Sequence, residues 1–478
     1  TIFGSSSGAG QGGNISLNAS ETIKITGTNS QGVGSQIGVN SRGMEEGAGD
    51  GGSIQLDANS ILIADGAQIG SLTVSDGDGG QLSINAQDLT ITGDAERANG
   101  NLIPTTLNAN AVSSGQGGRI SIKTNNFNLQ NGAQIAASNK GSGNGGTISI
   151  QAQNVNISGL GQTGLGSGII ANTVGTIENA GSGGHIEVNA ENLTVIDGGQ
   201  LTSSVIGSGQ GGNVSIEVAQ QALFSGEDED NHVSGVLSLA DYGSTGDAGT
   251  IRFKTTGLLL DDNAQFNTQA RGTGLGGNIT IQAQGLVLQR DGRVTAQSLG
   301  TGDAGSLILD IGNTLVLNQG AVQTSTETAD GGNVFVNVGK YLFIRNGELT
   351  TSVGAEIGNG GNITLNSRFT VLHDSSIIAR AYGGDGGNID IVTRSLYKML
   401  PNFSPIDASS RFGLDGVVTI STPDVGSDEG LLVLPEGFIK ADIILAKACG
   451  AETSQSSFVL QDRIGIMPLQ SDWQPAHF

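Results

Sequence analysis

The sequence predicts an all-β protein: a parallel, right-handed β-helix solenoid of about 13 coils, roughly 28 residues per coil, with a small C-terminal capping segment that contains a short helix. Three observations lead there. A Gly-Gly corner recurs from one end of the chain almost to the other. After each corner, apolar residues alternate with polar ones at a period of two. Between corners no segment is long enough for a crossover helix, which rules out α/β solenoids.

The clearest copy of the unit reads Gly276-Gly277-Asn278-Ile279-Thr280-Ile281-Gln282-Ala283, followed by Leu286-Val287-Leu288. Earlier copies include Gly51-Gly52-Ser53-Ile54-Gln55-Leu56 and Gly145-Gly146-Thr147-Ile148-Ser149-Ile150. The second residue of each corner, always glycine, serves as a ruler: Gly13, Gly52, Gly80, Gly118, Gly146, Gly184, Gly212, Gly249, Gly277, Gly305, Gly332, Gly361 and Gly387, with a degenerate Gly416. The basic spacing is about 28 residues, and alternate units in the first half carry some ten more. Two further short strands follow the first in each unit, as in Leu193-Thr194-Val195-Ile196 and Gln200-Leu201-Thr202-Ser203. Three short strands nearly exhaust a unit, so each strand pairs with its copy in the next coil.

Two details of the stack follow as expectations. The corner glycines are expected to supply positive φ without a steric cost. Gln36, Gln68, Gln134, Gln200 and Gln265, at matching positions, are expected to hydrogen-bond coil to coil as an amide ladder.

The extra residues of the longer units lie near Gly27–Gly34, Gly93–Pro104, Gly159–Gly166 and Ser225–Val233, between the second and third strands. Loops at equivalent places in alternate coils should project from one flank, roughly 10 Å apart. Their polar and charged side chains are the candidate contacts for a partner: Asn29, Gln31, Glu96, Arg97, Asn99, Gln162, Glu227, Asp228, Glu229, Asp230 and His232. Insertions in exposed turns also cost little, so length alone does not make them functional.

Residues 1–397 form the repeat domain; 398–478 read as a degenerate last coil and a C-terminal cap. Six of the seven prolines, the only tryptophan (Trp473) and the only cysteine (Cys449) fall beyond residue 400. Phe438, Ile439, Asp442, Ile443 and Ala446 stand at helical spacing, which predicts a helix near 436–449 with Gly450 as its stop. A cap is physically expected where a solenoid would otherwise expose unpaired edges.

Composition narrows the function. Glycine contributes 80 of 478 residues without a Gly-X-Y period, which excludes collagen. A formal net charge of −23 excludes nucleic acid and anionic membrane as partners. One cysteine allows no intrachain disulfide, leaving an intermolecular or tail role for Cys449. No run of 18 apolar residues is present.

The usual chemical signatures fail. Asp76-Gly77-Asp78 begins like a calcium loop but has Gly80 and Gln87 at the later ligand positions, and Asp228 with Asp230 fails likewise. Gly272-Thr273-Gly274-Leu275-Gly276-Gly277 is one corner among many, with no helix after it to hold a phosphate. His185, His232, His373 and His477 have no ligand spacing. A polysaccharide-cleaving enzyme needs convergent carboxylates or bases. Lys123, Glu187, Glu217, Arg252 and Lys254 form no such set, and no metal or cofactor is expected.

The repeated Gly-Gly-Asn-Ile-x-Ile-x-Ala, with its Leu-x-Leu and Gly-Ala-x-Ile continuation, resembles the filamentous-haemagglutinin-like exoproteins of the two-partner secretion type, in their cyanobacterial form. The tail carries the most specific likeness: Leu434-Pro435, Ala448-Cys449, Ser456-Ser457-Phe458-Val459 and Arg463-Ile464-Gly465. It departs from relatives at Asp462–Pro468, which keeps only an Arg, one Gly and one Pro of a Gly-Arg-Gly-Gly-Leu-Pro-Pro stretch. The resemblance implies a secreted or surface-held adhesin or matrix protein, outer-membrane associated, with no enzymatic activity. It also implies an outer-membrane secretion partner and a longer chain whose secretion domain precedes Thr1. A surface receptor, glycan or matrix polymer would be the ligand, and self-association the alternative of a purely structural rod.

Overall fold

The computed structural model describes residues 1–30, 32–43, 49–74, 76–175, 178–354, 357–399 and 404–422, within the compact unit Thr1–Pro423. The predicted helix near 436–449 and Cys449 lie outside the described residues. Those described are all-β, a solenoid of about 13 turns with a repeat of ~28 residues.

Each coil contributes three strands, here called its first, second and third faces. In the coil of Gly118 they are Arg119–Lys123, Asn126–Gln130 and Gln134–Ala136. All three pair in parallel with their copies: Ile120 with Ile148, Phe127 with Val155, and Leu107 with Ile135. The third faces make one sheet, and the first and second faces share another. From His185–Ile196 onward the first two faces run as one long strand, 11 to 13 residues, across the corner. Earlier coils break there into two short strands.

Period-two alternation then puts every second side chain inside. The columns Ile120–Ile148–Ile186 and Leu129–Ile157–Val195 are buried and in register, so like packs on like. Where Phe224, Phe253 and Phe266 enter the interior, Ala222 takes a position that is leucine in the two following coils, Leu258 and Leu286, which leaves the rings room.

The corner glycines correct an expectation. Among the described residues, no corner glycine has a positive φ. What demands glycine there is the neighbouring coil. A Cβ on Gly118, Gly146 or Gly184 would sit 2.1 Å from the preceding coil's corner carbonyl, and one on Gly145 would sit 2.4 Å from the Gly184 nitrogen. At the second position of the corner stacked backbones meet at van der Waals distance, and a side chain would wedge the coils apart, whereas the first position accepts alanine at Ala248 and Ala304. Positive φ belongs instead to the tight turns between the second and third faces, such as Asp65-Gly66, Asn131-Gly132 and Asp197-Gly198. There Ala67, Ala133 and Gly199 donate back to the residue three before, the two-residue turn that Asp-Gly and Asn-Gly favour.

The amide ladder is also relocated. Gln36 and Gln68 do bond, at 3.3 Å. Beyond them the column reads Thr106, Gln134, Gly168, Gln200, Gly235, because each longer coil interrupts it. The working ladders lie in the glycine corners. The Asn278 side chain accepts the Ser306 amide at 2.7 Å, and Asn333, Asn362 and Asn388 repeat this at 2.9, 2.8 and 2.8 Å. Hence the asparagine of Gly-Gly-Asn satisfies an amide one coil on. A second ladder, Asp88–Asn126–Asn154–Asn192, runs along the start of the second face at 2.7, 2.9 and 3.1 Å.

An ion pair joins the third faces of the last two complete coils described, Arg380 to Asp407. Burial raises the pKa of the Asp407 carboxyl, but hydrogen bonds from the Arg380 guanidinium and from Ser409 outweigh it and hold the group below its ordinary 3.8.

Candidate functional site

All four insertions are β-hairpins of one design. Their arms close through the antiparallel bridges Thr28–Gly34, Leu160–Gly166 and Glu227–Val233, and through the strand pair Asp94–Glu96 with Leu102–Pro104. At each tip an amide donates to the carbonyl three residues back: Gly32 to Asn29, Gly100 to Arg97, Gly164 to Gly161, Asn231 to Asp228. Those four donors all have positive φ, 62° to 80°, which Gly tolerates and Asn accepts best among other residues.

The hairpins do not stand apart as separate loops; they brace one another. Gly32 lies against the Arg97 backbone, so close that a Cβ would be 2.3 Å from the Arg97 Cα. The Asp94 carboxylate accepts the Thr163 amide of the next hairpin at 2.9 Å. A Cβ on Gly164 would approach Asp230 of the fourth to 3.4 Å. Two coil rises separate successive hairpins, about 10 Å, and their arms lean across that gap.

A buried hydroxyl seats three of them. Thr105, Ser167 and Ser234 are fully buried at the hairpin bases. Each donates to the second-face carbonyl before its hairpin, on Thr92, Ser158 and Ser225, at 2.7 to 3.0 Å. Each also accepts the glycine amide of the tight turn one coil earlier, on Gly66, Gly132 and Gly198, at 3.0 Å. Ser234→Ala therefore strands the Gly198 amide, and the expected loss is about 1–3 kcal/mol, read as a lowered urea midpoint at unchanged slope. A loss below about 0.5 kcal/mol would contradict this role.

The candidate residues divide by what they touch. Asn29 accepts the Val33 amide at 2.9 Å, and Asn99 accepts that of Asn101 at 3.1 Å, so both shape their own tips. Asp228 is 8% exposed, taking the Asp230 and His232 amides and the His232 ring nitrogen at 2.9 to 3.0 Å. It is a strut of the fourth hairpin. Arg97 is half-buried. Glu96, Gln162, Glu227, Glu229 and Asp230 are exposed, while Gln31 lies outside the described residues. A small pocket of about 220 Å³ opens between the third and fourth hairpins and the third face, lined by Leu165, Gln200 and His232 among others.

No protein-family model, curated protein or solved structure matches the chain.

Among the described residues, no three His, Cys, Asp or Glu side chains gather where a metal ion could be held. Lys254 and Glu217 pair across adjacent coils at 2.5 Å, both well exposed, as a surface ion pair of little energetic weight. The braced hairpins and seating hydroxyls had a sequence trace that spacing alone did not expose. Thr105, Ser167 and Ser234 occupy one position just after the insertions, each before the third strand resumes.

Proposed function

We propose that this chain is an adhesin-like rod, exported and held at the cell surface, that mediates adhesion, aggregation or matrix structure. One observation carries the reading: four mutually braced hairpins form a continuous ridge along one edge of a repetitive rod. Exposed Glu96, Gln162, Glu227, Glu229 and Asp230 along that ridge make no contribution to the core. The rod holds them at fixed spacing, which favours many weak contacts acting together. Export through an outer-membrane partner remains part of the proposal, on the strength of the sequence resemblance.

The fold supplies its own control. Intervening coils cross the same point with a two-residue turn such as Asp65-Gly66, so each hairpin can be replaced by Asp-Gly without breaking the stack. Beads coated with the four-fold replacement are expected to lose adhesion to cells and matrix polymers, while the β-sheet circular dichroism is retained. Unchanged adhesion would reject the ridge as the adhesive element. The uniform Asn and Asp ladders favour a second reading, a purely structural rod; it requires end-to-end or lateral assembly visible by electron microscopy.

A further inference from the structure

A groove on a different edge of the rod, between the first and second faces, is a candidate binding cleft. It spans about 690 Å³ along successive coils from Asn85 to Glu217. Its origin is the broken corner of the early coils. There, one small residue turns inward and the side chains on either side diverge, as in Asn85-Ala86-Gln87 and Gln151-Ala152-Gln153. Stacking aligns these rungs in register: Asn85, Lys123, Gln151, Asn189 and Glu217 are neighbours in turn. Five rungs extend over roughly 20 Å. The groove ends where the bulge after Val218 thrusts Ala219 outward and where Glu217 turns to Lys254.

Of its amides, Asn189 donates to Glu187 at 3.0 Å, and the others are unspent. One residue away, Asp88, Asn126, Asn154 and Asn192 consume their side chains in a ladder. The side chains of Asn85, Gln87, Asn125, Gln151 and Gln153 make no hydrogen bond within the described chain, and all five are exposed.

We propose that this groove binds a neutral, extended glycan, one sugar per rung. Each amide offers a donor and an acceptor, which matches hydroxyl groups that are themselves both. Half-buried Ala86 and Ala152 on the floor leave apolar surface for the C–H side of a sugar ring. Rungs advance about 4.8 Å, close to the rise of one unit in an extended β-1,4-linked chain. Charge selects the neutral class: Glu191 and Glu217 line the groove against Lys123 alone, on a chain of net charge −23. A peptide is disfavoured because strand addition needs an open sheet edge. Here each rung's backbone is already paired on both sides. The hairpin ridge lies at the other edge of the second face, so this site and the adhesive ridge can fail independently.

The test is calorimetric titration of the full chain with cello-, xylo- and manno-oligosaccharides of two to eight units, alongside maltohexaose and a Ser/Thr-rich hexapeptide. Affinity for at least one extended series is expected to rise with length to about five or six units and then level, the hexaose binding about tenfold tighter than the dimer. Gln151→Ala/Gln153→Ala is expected to weaken it about tenfold, the loss of two hydrogen bonds. Gln282→Ala/Gln284→Ala, beyond the groove, is expected to change nothing, and Ala152→Arg to block binding if it folds. No binding by any extended glycan, binding independent of length, loss equal in both double variants, or binding of the peptide alone would overturn the proposal.

Discussion

Replacing Phe266 with alanine is expected to lower stability by about 3–5 kcal/mol, the largest effect of any single side chain considered. Phe266 is fully buried on the third face. Its ring meets Phe224, from the second face of the preceding coil, edge-on at 4.9 Å, and Phe253, from its own first face, at 5.1 Å. Phe224 and Phe253 are themselves 5.9 Å apart. The three rings fill the interior from three sides, so truncating one leaves a cavity that the stacked backbones resist closing. Aromatic pairing adds about 0.5–1.5 kcal/mol to the burial. Phe266→Leu keeps most of the volume and should lose under about 1.5 kcal/mol. Because each coil touches only its neighbours, the damage should be local. Hydrogen exchange is expected to accelerate most between about residues 213 and 298, and a uniform change along the rod would argue against local packing as the cause.

Gly305→Ala is expected to destabilise by about 3 kcal/mol, at the upper end for overpacking. The added methyl would lie 1.8 Å from the Gly277 carbonyl oxygen and 2.5 Å from its carbon, both backbone atoms with no rotamer to yield. Relief requires separating two coils and stretching the pairing between Ile279 and Leu307. Gly285 makes the comparison sharp. A methyl there meets nothing within 4 Å, and its backbone is in the ordinary extended region. Gly285→Ala should therefore stabilise by about 0.5 kcal/mol through the unfolded chain alone. Equal effects from the two substitutions, in urea unfolding, would show that coil contact is not what holds glycine at the corners.

Much of this is written locally. Ile148 and Ile150, with Thr147, Ser149 and Gln151 between them, already state a strand with one face inside. The spacing of Gly-Gly pairs states how far apart the coils begin, and the positions of the insertions state which coils are longer. The candidate ridge was legible as four loops on one flank, and Glu96, Gln162, Glu227, Glu229 and Asp230 are exposed there as read. Asp228 was not legible as a strut, since an acidic residue in a loop has the same appearance whether it faces solvent or receives three hydrogen bonds.

What the sequence determined by itself is the coil: its length, its inward residues and the places where insertions lengthen it. These depend on neighbours within a few residues, where alternation and turn chemistry act directly. Only the tertiary structure decided what one coil does to the next. It put glycine at the corner for want of space and moved the amide ladder into the corner asparagines. The same stacking joined four hairpins into one ridge and left Asn85, Gln87, Asn125, Gln151 and Gln153 unpaired beside a line of amides that is paired. Each of these rests on contacts between residues about 28 or more positions apart, and their partners are set by stacking register, which no single segment contains.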